Sequence, residues 1–247
     1  MAIKTIFNYS PNFNSAKRRK KQIKFIIFHY TGMKKESEAI NRLTNIQSEV
    51  SSHYLIKNDG KILTLVPDLY IAWHAGKSSW KNYKSLNKNS IGIEISNQGH
   101  QFTYSKFSKK KINAALRLSK FLIKKYSIKS KNILGHSDIA LDRKKDPGEK
   151  FPWKYFAKKK VCLWHSLTQK ILEKNRKVKI NDIDKNNFLK NVFKIGYSKK
   201  VPKKINKNRY FTLVAKAFQR RHRQELVDGK IDKECLLISK NILKKYK

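Results

Sequence analysis

The chain is short of several things at once. Its 247 residues include two cysteines, five prolines, nine glycines and 17 acidic side chains. Cys162 and Cys235 lie far apart and have no C-x-x-C partner, so neither a disulfide framework nor a cysteine zinc site is supported. Each reads as a plain buried residue. No apolar run approaches the ~20 residues that a membrane-crossing helix needs. The longest, Phe25-Ile26-Ile27-Phe28, has the length of a buried strand. The first residues, MAIKTIFNYSPNFNSAKRRKK, contain no continuous apolar stretch and no small-residue cleavage site. A standard signal peptide is therefore not read, which by itself points to the cytoplasm.

The shortage of acid against 58 lysines and arginines leaves a formal net charge of +41. Such a balance suits nucleic acid, anionic glycan or a membrane surface. Here the lysines are spread along the whole chain and not gathered in one stripe, and Asn and Ile are abundant while Gly, Ala and Pro are sparse. That is the bias an AT-rich genome favours, so the charge reads first as compositional. It draws the chain to anionic polymers in either case. Recognition of nucleic acid would further require an interleaved aromatic and basic platform or a docking helix, and neither is visible. No specific nucleic-acid partner is expected, and the oligomeric state is not legible. Apolar residues make up 39%, enough for a packed core.

Periodicity places the elements. Ile23 to Tyr30 reads as a buried strand, Glu36 to Ile46 as a helix, and His53 to Ile56 and Lys61 to Val66 as strands around the turn Asn58-Asp59-Gly60. Ser90 to Ser96 alternates as another strand. Lys109 to Tyr126 carries an amphipathic helical pattern with Ser108 as its N-cap. Asn132 to Gly135 is a further short strand, followed by an ordered loop to about Trp153. Strands interspersed with helices predict a mixed α/β domain. From about Val161 to Asn181 the signal weakens in a polar, basic stretch. Three helical patterns follow, roughly Asp184 to Phe193, Arg209 to Arg221 and Lys233 to Tyr246, which together would bury a shared core.

Candidate chemistry sits at strand ends. His29 ends one predicted strand and His136 another, and Asp146 lies ten residues beyond His136. Two imidazoles and a carboxylate form the ligand set of many catalytic zinc sites, with one position left open, though any one of these histidines alone reads more readily as a core or surface residue than as a ligand. Glu94 lies mid-strand on the face opposite Ile93 and Ile95. If that face lines a cleft, its carboxylate can move protons; the alternative is a solvated strand face. Lys144 is placed to stabilise an oxyanion, or is an ordinary lysine in a lysine-rich chain.

The motifs FHYTGM around His29, SSHYLI around His53, AWHAG around His74, SIGIEI around Glu94 and GHSDIALDRKKDPG from Gly135 to Gly148 occur in one order. With the early SPNFNS (Ser10 to Ser15), they resemble the type-2 N-acetylmuramoyl-L-alanine amidases, the AmpD/AmiD-like family, over about Ser10 to Ala157. The resemblance implies a mixed central sheet flanked by helices. It also implies one zinc ion held by His29, His136 and Asp146, Glu94 as catalytic acid/base, and Lys144 as the transition-state-stabilising cation. Trp73 and His74 fall in a groove-wall segment and are expected to contact substrate, while His53 packs or hydrogen-bonds near the metal. His100, His165 and His222 match no motif and read as structural or exposed. One departure is visible: Leu141-Asp142 replaces a frequent Pro-Gly or Pro-x, which alters the loop but not the ligands.

The implied reaction is hydrolysis of the amide between N-acetylmuramic acid, or its 1,6-anhydro form, and L-alanine of the stem peptide. Its substrate would be peptidoglycan or the muropeptides released from it. The alternative is a recognition protein that binds peptidoglycan without cutting it. The stretch KAFQRRHR (Lys216 to Arg223), followed by VDGKID (Val227 to Asp232), resembles three-helix peptidoglycan-binding modules. The chain then divides into an amidase domain over 1–163, a linker over 164–181 and a helical peptidoglycan-binding-like domain over 182–247. A wall-binding module would place the protein in the cell envelope, against the reading from its N-terminus.

Overall fold

The computed structural model describes residues 3–246. Its elements in chain order are β1 (Ile6–Phe7), β2 (Phe13–Asn14), β3 (Phe25–Tyr30), α1 (Glu36–Thr44), β4 (Tyr54–Ile56), β5 (Ile62–Thr64), β6 (Ile71–Ala72), β7 (Ser79–Trp80), β8 (Tyr83–Lys84) and β9 (Ser90–Ile95). There follow α2 (Lys109–Tyr126), β10 (Ile133–Gly135), α3 (His136–Ile139), α4 (Trp153–Lys158), α5 (Gln169–Asn175), α6 (Asp182–Ile195), α7 (Lys207–His222) and α8 (Lys233–Lys244). Six strands form one mixed sheet in the order β1-β5-β4-β9-β3-β10. The four strands β4, β9, β3 and β10 run parallel, and β5 turns back antiparallel to β4 through the predicted Asn58-Asp59-Gly60 turn. Gly60 adopts φ +85° there, a conformation that glycine takes without steric cost.

The faces of the sheet follow from alternation. Ile26 and Phe28 of β3, Ile91, Ile93 and Ile95 of β9, and Tyr54 and Ile56 of β4 share one face with Ile112, Ala115, Leu118 and Leu122 of α2 and Phe156 of α4. Ser108 caps α2 as expected, accepting the Lys111 N–H. On the opposite face, Leu55 and Leu63 meet Leu43 of α1 at one end. At the other end, Phe25, Ile27 and Leu134 pack in one apolar cluster with Phe188 and Val192 of α6, Val214 and Phe218 of α7, and Ile238 of α8. Between these ends the second face carries Gly92, His29 and Glu94.

The helices of the C-terminal part therefore share a core with the sheet. Asn181, Asn206 and Asp232 cap α6, α7 and α8 through their side-chain oxygens, so polar residues just outside each helical pattern set its start. The stretch read as a linker, 164–181, contains α5, capped by Thr168 and burying Leu172. Its apolar positions are too few to raise a clear helical period in a sequence crowded with lysine. No helix among the described residues is long and apolar enough to cross a membrane.

Candidate active site

β10 lies beside β3 in parallel, with Gly135 opposite Phe28. The residue after Phe28 on β3 and the residue just beyond the end of β10 are both histidines, so the register sets His136 beside His29. The chain turns at once into α3, and the loop after α3 returns Asp146, whose carbonyl accepts the Ser137 N–H (2.8 Å). Gly135 permits this close return, because a Cβ there would stand 2.7 Å from Pro147 Cδ.

Three atoms converge: His29 Nδ1, His136 Nδ1 and Asp146 Oδ2, each 3.0 Å from the other two. All three residues are buried, and they form the one such group of metal-binding side chains among the described residues. His136 donates its Nε2–H to the Ala75 carbonyl (3.2 Å), which leaves its Nδ1 bare. His29 Nε2 lies 3.0 Å from His74 Nδ1, and His74 Nε2 lies 3.1 Å from Ser90 Oγ. Ser90 spends its own hydroxyl hydrogen on the Leu86 carbonyl (2.6 Å). That end condition orders the whole chain. Ser90 accepts from His74, His74 accepts from His29, and the His29 Nδ1 lone pair turns inward.

Burial, and next the neighbouring His136, bring His29 down to about 4, so it is neutral at neutral pH. Burial alone would raise Asp146, but His136 and His29 outweigh it and hold the carboxyl well below the usual carboxylate range. Two imidazole lone pairs and a carboxylate oxygen so close together repel unless a cation lies among them. Ligands ~2.0–2.1 Å from a tetrahedral ion stand ~3.3 Å apart, close to the spacing here. The residues present fit a divalent metal.

Glu94 is paired in register with His29 across β9 and β3, so its carboxylate stands on the same face of the sheet. Its Oε2 is shut off from solvent and has no hydrogen-bond partner. Burial, and next the Asp146 charge, push its carboxyl up to about 8 against a smaller downward pull from Lys144. Lys144 lies on the loop between α3 and Asp146, fixed by its backbone N–H to the Ala140 carbonyl (2.9 Å). Its charge is felt by both Glu94 and His29.

His74 corrects an expectation. It does not stand on the groove wall but is buried beneath His29, with both ring nitrogens engaged. The space it fills belongs to Gly92, where a Cβ would lie 2.5 Å from the His74 ring. Alternation along the AWHAG segment turns Trp73 the other way, half-buried, with its indole N–H donated to Asn14 Oδ1 (2.9 Å). His53 lies one ring further in, accepting the Gly92 N–H at Nδ1 (3.0 Å).

Two supporting residues carry no role in the motif reading. Arg143 donates to the Ala75 and Lys77 carbonyls (2.6 and 2.7 Å) and so fixes the carbonyl that sets the His136 tautomer. Asp138 is buried beside His136; an acid in the apolar setting His136-Ser137-Asp138-Ile139-Ala140 was the available signal. His100 bridges the Tyr30 hydroxyl (3.0 Å) and the Glu149 carboxylate (3.1 Å).

In the C-terminal part, the conspicuous residues of the AFQ and DG stretches are used inside the fold. Gln219 is fully buried and donates to Asp228 Oδ1 (3.0 Å) and the Lys230 carbonyl (2.8 Å), while its Oε1 accepts the Gly229 N–H (2.8 Å). That pattern specifies how α7 meets the following turn.

Comparison with known proteins agrees with this geometry. Residues 19–149 match the family model described as N-acetylmuramoyl-L-alanine amidase. The N-acetylmuramoyl-L-alanine amidase AmiD of Escherichia coli (strain K12) is 34% identical over 237 residues, which is 91% of this chain and 84% of that protein. The 1,6-anhydro-N-acetylmuramyl-L-alanine amidase AmpD of the same organism is 41% identical over 107 residues, covering 43% of this chain and 56% of AmpD. Among solved structures, E. coli AmiD with the substrate anhydro-N-acetylmuramic acid-L-Ala-D-gamma-Glu-L-Lys superposes with a TM-score of 0.81 at 32% identity, covering 94% of this chain and 93% of that one. AmpDh3 from Pseudomonas aeruginosa, in complex with anhydromuramic pentapeptide, gives 0.79 at 29% identity over 96% and 97%. The chain belongs to the N-acetylmuramoyl-L-alanine amidase family and is an enzyme of that class.

Proposed function

We propose that the enzyme uses one zinc ion, held by His29, His136 and Asp146, to hydrolyse the amide between N-acetylmuramic acid, or its 1,6-anhydro form, and L-alanine in peptidoglycan and its turnover fragments. The observation that carries this reading is the cage of three inward lone pairs beside an unpartnered Glu94 carboxylate. Zinc in such a cage supplies Lewis acidity to the scissile carbonyl and acidity to water. With a bound dication's charge drawing its carboxyl back down, Glu94 accepts the proton of the attacking water and returns it to the leaving nitrogen of L-alanine, which departs as a neutral amine. Lys144 faces the negative charge that develops on the carbonyl oxygen. Trp73 offers an aromatic wall to sugar or peptide.

A recognition protein that binds without cutting is the weaker reading, because nothing in the cage or at Glu94 is missing. We further propose the division into an amidase domain over 1–163, a connecting segment over 164–181 and a helical part over 182–247. A wall-binding role for the helical part rests on its sequence resemblance.

Metal analysis and product mass spectrometry test the reading. His136→Ala should lose zinc and activity together. Glu94→Gln should keep zinc and lose at least ~100-fold in turnover on an anhydro-muropeptide, within the usual range for general acid–base catalysis. Full zinc and full activity in His136→Ala, or near-normal turnover in Glu94→Gln, would remove the assignment.

A further inference from the structure

We infer that the C-terminal helices position the metal-binding nitrogen of His136, acting through Asp138, and that Tyr197 and Arg221 are positioning residues of the amidase site. This rests on the reading of His136 as a ligand.

Asp138 is two residues beyond His136, in the same single turn of α3, and only 1% exposed. Three donors meet its carboxylate. Oδ2 accepts the Gly135 N–H (2.8 Å), which closes the turn on itself. Oδ1 accepts the hydroxyl of Tyr197, just after α6 (2.7 Å). Arg221, near the end of α7, donates to Oδ2 (2.6 Å), with both side chains buried. The other arm of the Arg221 guanidinium donates to the Ile133 carbonyl at the start of β10 (2.7 Å). Its guanidinium carbon lies over the Trp153 ring, 4.4 Å from the centroid.

One rigid fork therefore spans β10 and the turn that follows it, the two segments that aim His136. A fork of this kind fixes direction as well as charge. A carboxylate this deeply buried needs its partner cation, because a lone buried charge is far costlier than a paired one. α3 has only four residues, too few to hold its own shape, so its conformation is set by what grips it. The grip on Asp138 from outside the turn comes from residues 197 and 221. Tyr197 is itself fixed, packed edge-on against Trp80 at 5.0 Å. A wall-binding role for the helices is compatible with this arrangement, but a detachable one is not.

The test uses the full chain and measures zinc affinity by chelator competition, together with thermal melting of the metal-free protein. Tyr197→Phe keeps the ring and removes only the hydroxyl on Asp138. It should weaken zinc binding by about tenfold, the lower end of what a lost partner behind a ligand costs. Ser239→Ala is the control. Its hydroxyl accepts from Asn191 Nδ2 (3.1 Å) and donates to the Leu236 carbonyl (2.8 Å), in the same helical part but with no bond to Asp138, Tyr197 or Arg221, and zinc affinity should not change. Arg221→Lys keeps the charge and gives up the fork to Ile133; it should also weaken zinc binding, and it decides the matter if Tyr197→Phe does not fold. Should both Tyr197→Phe and Arg221→Lys bind zinc as the unaltered chain does, with only the melt lowered, the contacts are mere packing and the inference fails. If His136→Ala loses zinc in that same assay, the ligand assignment survives this failure. If His136→Ala retains zinc, the ligand assignment itself has failed.

Discussion

Strands β3 and β9 show two unlike faces to the rest of the molecule. Toward α2 and α4 they present Ile26, Phe28, Ile91, Ile93 and Ile95, which pack into one apolar core. One residue along, the same strands present Phe25 and Ile27 to the C-terminal helices, then His29, Gly92 and Glu94 to a buried polar network. The first face is held by area and volume, which many apolar combinations can supply. The second is held by hydrogen-bond order, in which each buried polar atom needs a particular partner. Damage to the first face should register as lost stability, and damage to the second as lost metal.

The largest separation should come from Phe28→Ala. Phe28 is fully buried, with ring contacts to Phe151, Trp153 and Phe156 at 4.7 to 5.9 Å. Its truncation should cost about 3–5 kcal/mol of stability by urea unfolding, while the protein that remains folded binds zinc normally. Weakened zinc binding at full stability would abolish the distinction between the faces. Next comes His74→Leu, which leaves His29 without its acceptor. Metal affinity should fall about 10–100-fold with a smaller change in the urea midpoint, and unaltered affinity would show the chain through Ser90 to be idle. Gly92→Ala sharpens the same point. It acts by displacing His74, so it should weaken zinc binding alone but add little in the His74→Leu background, a non-additivity that a double-mutant cycle reads directly.

The smallest effect belongs to the polar exception on the apolar side. Asp68 accepts the hydroxyls of Tyr54 and Tyr126, each at 2.6 Å, and Lys125 Nζ at 2.8 Å. Burial pushes its carboxyl up, but these three bonds outweigh burial and leave it below its ordinary value. A depressed carboxyl contributes stability above its unfolded pKa of ~3.9 and loses it as pH falls through the folded value. Tyr126→Phe should therefore cost about 1.5 kcal/mol at neutral pH, and the difference from the unaltered chain should shrink in acid. A constant difference down to pH 2 would mean that Asp68 is not the acceptor that matters.

Much of this was legible in the sequence. Period-two runs located β3 and β9, and Asn58-Asp59-Gly60 announced the one antiparallel turn of the sheet. His29, His136 and Asp146 were named from motif order, and the fold brings their donor atoms together. His74 was misplaced because a motif gives order along the chain and not depth. What decides its position is the missing Cβ of Gly92, on a strand that is remote in the pattern. Asp138 and Arg143 were passed over because their partners, Tyr197, Arg221 and the Ala75 carbonyl, are 59, 83 and 68 residues away. Such pairings leave no local period. The helix α5 was hidden for a different reason: it buries one leucine among lysines, and its place comes from packing on α8.

The pairing of β10 has a consequence for how the enzyme comes into being. β10 is the last strand of the sheet in the chain and the outermost one beside β3. Residues 29 and 136 are 107 positions apart, so the segment of β3 brings one arm of the cage and the segment that follows β10 brings the other two. Contacts of such separation form late, after the loop between them has been closed at an entropic cost. On the proposed ligand set, a metal ion would find no complete set of ligands on a nascent chain or on a half-built sheet, and its capture would report that the final strand has docked. Stopped-flow refolding in the presence of zinc should show metal uptake trailing the gain of sheet signal, with no early phase of tight binding.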